Sequence, residues 1–170
     1  MSSKIFRPLI CISFVASAAP VLSADCDAAK SAMLLTARTP ASLTITKTDA
    51  HGKKTVSRMV RTANVKYVQA ASGKWYAMNI SEKDLDYAGF ATAKYACHRS
   101  GGDAVNGEPA AVYAVHVEND GTVSDSKIWV NSKNLIVKSE LSGEGGTIYS
   151  TVSDYAHVTV PANARAIGSK

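Results

Sequence analysis

The spacing of apolar positions changes from helical to alternating near residue 40. Ala29, Ala32, Met33 and Thr36 recur at i, i+3, i+4 and i+7, the period of a helix with one narrow apolar stripe. Ala28, Leu34 and Leu35 add good helix formers, so the pattern predicts a helix from about Asp25 to Ala37, stopped by Thr39-Pro40. Beyond Pro40, Leu43 and Ile45 alternate with Thr44 and Thr46 before the His51-Gly52 turn. A Thr/Val/Arg run with Val56, Met59 and Val60 follows, then Val65 to Val68, Ser72-Gly73 and Lys74 to Met78. Short β-branched and aromatic runs punctuated by turn residues predict a meander.

One segment interrupts the strands. Ser81-Glu82-Lys83-Asp84 fits a capping box, and Leu85, Ala88, Phe90 and Ala91 extend it as a helix to about Ala93. After it, Tyr95 to Arg99 reads as a strand, with Gly101-Gly102 and Asn106-Gly107 marking a loop. Pro109 to Glu118 is a long strand with Val112, Ala114 and His116 on one face and Tyr113, Val115 and Val117 on the other. Asn119-Asp120-Gly121 is a hairpin signal. Strands are then predicted over Lys127–Asn131, Leu135–Leu141, Thr147–Val152 and Tyr155–Val160. The fold class is α+β: one domain, a strongly bent antiparallel sheet of roughly 8–9 strands with two helices on one side.

Charge and composition narrow the function classes. The first residues have the layout of a secretory leader: Lys4 and Arg7, an apolar run from Leu9 to Ala19, and small residues around Ser23 and Ala24. Cleavage after Ala24 is expected, leaving residues 25–170 as a single exported, periplasmic domain. Leu22-Ser23-Ala24 would form a lipoprotein signal if cysteine followed, but Asp25 follows and Cys26 is one place late. Without Lys4 and Arg7 the formal net charge falls from +5 to +3, scattered along the chain. That is too mild for a nucleic-acid footprint. Cys11 leaves with the leader, so Cys26 and Cys97 remain as an even pair in an exported chain. An even pair is the arithmetic of one structural disulfide, with no Cys-x-x-Cys to suggest redox chemistry.

The second half also resembles a known family. Val105-Asn106-Gly107-Glu108-Pro109-Ala110-Ala111-Val112-Tyr113 is similar to the "G-x-P … Y" strand entry of the periplasmic lipoprotein-carrier-like proteins (LolA/LolB-like, outer-membrane lipoprotein-sorting). Lys127 to Asn131 and Leu135 to Glu140 resemble that family's Trp-bearing hairpin, and Tyr149 to Pro161 resembles its closing strands. The resemblance implies an incomplete, highly curved antiparallel barrel with helices in or over its concave face. It also implies non-covalent binding of acyl chains or apolar partners rather than a fixed enzymatic reaction. The expected partner is an apolar ligand or lipid held by a monomer without a cofactor. The rival reading is an envelope protein-interaction module whose cavity its own helix fills. An apolar hollow needs aromatic and aliphatic liners. Trp75, Met78, Tyr113, Val115, Trp129 and Tyr149 are the candidates, against the alternative that each is ordinary core.

Catalytic signatures are missing from the sequence. His116 and Glu118 form an H-x-E seed on one strand face, with nothing to select His98 or His157 as a third metal ligand. No G-x-S-x-G, phosphate loop or H-E-x-x-H occurs. Gly143-Glu144-Gly145-Gly146 lies between strands and carries an acid, which suits a turn rather than a phosphate cradle.

Overall fold

Short turns between alternating segments bring sequence neighbours together as antiparallel pairs. In this computed structural model, which describes residues 22–81, 93–119 and 121–167, those pairs build one sheet. A helix, α1 (Leu22–Arg38), comes first. A meander follows: β1 (Ala41–Thr48), β2 (Lys54–Arg61), β3 (Val65–Gln69) and β4 (Trp75–Asn79). The second meander is β5 (Lys94–Val105), β6 (Glu108–Asn119), β7 (Thr122–Asn131), β8 (Ile136–Ser142) and β9 (Ile148–Asp154). A two-residue strand, β10 (Arg165–Ala166), pairs parallel to β4. The order is β10-β4-β3-β2-β1-β9-β8-β7-β6-β5, so β9 against β1 welds the two meanders while β10 and β5 leave the sheet unclosed.

Side-chain oxygens set several of the turns. Asp49 Oδ1 accepts from the backbone N–H of His51 and Lys53 between β1 and β2. Asn131 Oδ1 does the same for Lys133 and Leu135 between β7 and β8. Asn106 and Gly107 have φ of 51° and 84°, the left-handed pair that a tight two-residue hairpin requires.

The helix stripe lands where the spacing predicts. Ala29 and Ala32 are fully buried, and Met33 packs beside them against Cys97, Val115, Ile128, Val130 and Ile136. Small residues let the helix backbone approach the sheet closely. Thr36 Oγ1 accepts the Ile136 N–H, and the Arg61 guanidinium donates to the carbonyls of Thr36 and Thr39 at the helix C-terminus. The N-terminal end is held covalently by Cys26–Cys97, whose Cα atoms are 5.0 Å apart. Beside it, Asp25 Oδ2 accepts the Arg99 N–H on the outer edge of β5.

Three sequence expectations change. Among the described residues the sheet has ten strands rather than eight or nine. Gly101-Gly102 does not open a loop: β5 runs through it with a bulge between Arg99 and Gly101, where Gly101 takes φ 139°. A bulge absorbs an extra residue without ending the ladder, so a glycine pair inside a strand mimics a break. Tyr155–Val160 is not a strand. Asp154 Oδ1 accepts from the Ala156 and His157 N–H groups and turns the chain off the sheet, where the His157 carbonyl meets the Ser42 hydroxyl. The helix expected from Ser81 to Ala93 falls largely on 82–92, outside the described residues.

Candidate functional site

Pairing register assigns each strand residue to the face carrying α1 or to the opposite face. The helix face holds the main core: Tyr95 and Cys97 on β5, Tyr113, Val115 and Val117 on β6, Ile128 and Val130 on β7, and Ile136 on β8. A second cluster on the opposite face contains Val105, Ala110, Val112, Trp129 and Val137, with Val152 and Tyr155 against it. The Tyr155 hydroxyl donates to the Ile136 carbonyl and pins the chain leaving β9 over that cluster.

The six predicted liners therefore divide. Met78, Tyr113, Val115 and Tyr149 lie on the helix face, while Trp75 and Trp129 lie on the opposite one. Val115 is buried under α1, and Tyr113 packs beside it as core. Tyr149 is exposed, with the Lys47 ammonium 5.8 Å from its ring centroid. Trp129 is buried in the second cluster, with the ammonium groups of Lys138 and Lys127 4.1 Å and 5.0 Å from its ring centroid. These positions separate under one-residue alternation: Trp75 and Met78 are three apart on β4 and so face opposite ways.

What the register brings together instead is an apolar row beyond the helix. Leu43, Met59, Val68 and Tyr76 are direct cross-strand partners on β1, β2, β3 and β4. All four are half-buried and lie on the helix face, with Ile45 and Met78 in adjoining rows. Neighbouring strands lie ~4.8 Å apart, so the row crosses roughly 15 Å of sheet. The core packing of α1 is on β5 to β8, at the other end. On α1 itself Leu34 and Leu35 are 41% and 43% exposed, an apolar strip the core does not cover. The alternation of Leu43 and Ile45 was the available sequence signal. Met59, Val68 and Tyr76 become its neighbours only through register.

The polar groups on the opposite face are local pairs. Asp103 Oδ2 accepts the Trp129 indole N–H at 2.9 Å, and Asp103 Oδ1 accepts the Ala104 N–H. These bonds, with Lys138 and Lys127 nearby, hold the Asp103 carboxyl below its ordinary range. His116 Nδ1 lies 2.7 Å from Asp125 Oδ1, beside a hollow of about 270 Å³ that His98 also lines. Glu118 pairs with Lys94 rather than with His116. Among the described residues no group of three His, Cys, Asp or Glu side chains is placed to hold a metal ion.

A depressed carboxylate stabilises the fold above its unfolded pKa, and that contribution is lost as pH falls through the lower, folded value. In a Trp75→Phe background, Trp129 emission should therefore change only at pH values below the ordinary carboxylate range. Asp103→Asn should remove that acid step in a fluorescence titration. Asp154, lowered by the Ala156 and His157 N–H groups, titrates in the same direction but should leave the Trp129 signal unmoved.

No protein-family model and no curated protein matches this sequence. Solved structures do match its fold. The Mycobacterium tuberculosis lipoprotein LppX is similar with a TM-score of 0.50 at 10% identity, over 79% of this chain and 97% of that one. LprF from Mycobacterium bovis gives 0.49 at 12% identity, over 84% and 99%. A LolA superfamily protein, NE2245 from Nitrosomonas europaea, gives 0.35 at 11% identity, over 76% and 91%. At such identities the likeness is one of fold alone: the chain is an open, unclosed sheet with a helix laid on one face, and it shares that fold with LppX.

Proposed function

We propose that this protein is a non-enzymatic binding protein of the cell envelope that holds a lipid, acyl chain or other apolar ligand on the helix face. The observation that carries this reading is the half-buried row of Leu43, Met59, Val68 and Tyr76, which lies beyond the core packed under α1. Each CH₂ of an acyl chain laid there contributes about 0.8 kcal/mol when fully buried, so even partial burial of a long chain gives useful affinity. The Cys26–Cys97 bridge suits an oxidising compartment. The basic and apolar start of the chain suits a leader cleaved after Ala24, with residues 25–170 acting as a monomeric carrier domain. A fold shared with a lipoprotein agrees with an envelope setting.

The test is native mass spectrometry of the purified protein, followed by delipidation and titration with a fluorescent fatty acid. A co-purifying lipid and saturable, displaceable binding are expected. Met59→Glu places a charge in the middle of the row and should weaken binding at least tenfold, with little change in the thermal midpoint because Met59 is only half-buried. A delipidated protein without affinity for any acyl ligand overturns the proposal. If that protein instead elutes with one stoichiometric envelope protein, the interaction-module reading replaces it.

A further inference from the structure

Charge is sorted by face in this sheet. Among the described strand residues, register places Asp103, Glu108, Glu118, Asp125, Glu140 and Asp154 on the face opposite α1. The strands of the helix face carry Lys47, Arg61, Lys66, Arg99 and Arg165 and, among the described residues, no carboxylate. The opposite face mixes both signs, with Lys94 paired to Glu118 and Lys138 to Glu140. Among the described strand residues, the helix face alone is of one sign.

The cations also sit where they frame the apolar row. Arg165 on β10 pairs with Tyr76, at the end of the Leu43–Met59–Val68–Tyr76 line. Lys66 lies in the adjoining row, between Arg61 on β2 and Met78 on β4. Arg61 is committed to the carbonyls at the C-terminus of α1. Lys66 has a like-charged cross-strand partner in Arg61, an arrangement that by itself disfavours the pair and that a bound anion relieves. Arg165 is exposed at the sheet margin, where a head group can remain partly in water.

We infer that the ligand is an anionic amphiphile: a single lipid molecule whose acyl chain lies along the apolar row and whose carboxylate or phosphate meets Lys66 and Arg165. This rests on the binding role proposed above and narrows it to a charge class. Apolar contact supplies most of the affinity, and the cations discriminate between head groups and orient the chain.

The experiment compares oleate with oleyl alcohol, which have the same chain and differ in head-group charge, by displacement of a neutral fluorescent lipid probe from the full protein. Oleate should bind about tenfold more tightly than oleyl alcohol at low ionic strength, and added salt should narrow the gap. Lys66→Glu and Arg165→Glu should each remove most of the preference for oleate over oleyl alcohol. Circular dichroism and the thermal midpoint report whether each variant is folded, and Lys66→Gln is the milder companion. Equal binding of the two ligands, or a preference untouched by these variants, overturns the charge inference while the binding role stands. Binding of neither ligand by wild type removes the binding role itself. If the protein floats with phosphatidylglycerol vesicles in a Lys66-dependent way but takes up no oleate, the cations serve a membrane surface and the inference is wrong.

Discussion

Replacing Trp129 with alanine is expected to destabilise the protein by about 3–5 kcal/mol, the range for removing a buried large aromatic. The side chain is 2% exposed and anchors the cluster opposite the helix, against Val105, Ala110, Val112 and Val137. Its loss also strips Asp103 of its indole donor and leaves Lys127 and Lys138 without a ring beneath them. A native domain has only about 5–15 kcal/mol in total, so this one change removes a large share. Denaturant unfolding of Trp129→Ala and Trp129→Phe checks it. The phenylalanine variant keeps most of the packing and loses the N–H, so it should fall between wild type and alanine. A midpoint for Trp129→Ala within the scatter of surface substitutions would show that the second cluster is not a core.

The second large effect belongs to the disulfide. Cys26 and Cys97 are 71 positions apart, and closing a loop of that size stabilises by about 4 kcal/mol in the chain-entropy model. Reduction, or the double change Cys26→Ala with Cys97→Ala, should lower the thermal midpoint by roughly 10 °C. The loss should not be uniform. The bridge and the Asp25–Arg99 contact hold the N-terminal end of α1 on β5, so amide exchange in α1 should accelerate more than in β1–β4. The double variant should show no further response to reductant. Equal midpoints for the oxidised and reduced protein would mean that noncovalent packing of Ala29, Ala32 and Met33 already holds the helix.

Much of the fold could be read locally because the information lies within a few residues. The period change at Pro40, the Ala29/Ala32 stripe and the His51-Gly52 turn each act over one helical turn or one hairpin. The cysteine pair could be read for a different reason: once Cys11 is assigned to a leader, two cysteines have one pairing. The errors have equally local explanations. Gly101-Gly102 resembles a loop because a bulge and a loop use the same residue. Tyr155–Val160 has strand composition, but Asp154 accepts two backbone N–H groups just ahead of it and turns the chain away.

The candidate site was much less legible. Aromatic content drew attention to Trp75 and Trp129, which face away from α1. Leu43, Met59, Val68 and Tyr76 have no motif in common and meet only as cross-strand partners. The sorting of charge by face is hidden for the same reason, since Lys66 and Asp103 look alike as isolated surface residues.

Taken alone, the order of amino acids determined most element types and turn positions, the cysteine pair and the strip of α1 that is buried, because propensity and periodicity are short-range. The tertiary structure decided which face of each strand looks toward the helix, which apolar side chains form a continuous row, and which charges border it. Those outcomes depend on register, and moving a strand by one residue exchanges its two faces. Register is set by bulges and by partners distant in sequence, such as β9 against β1.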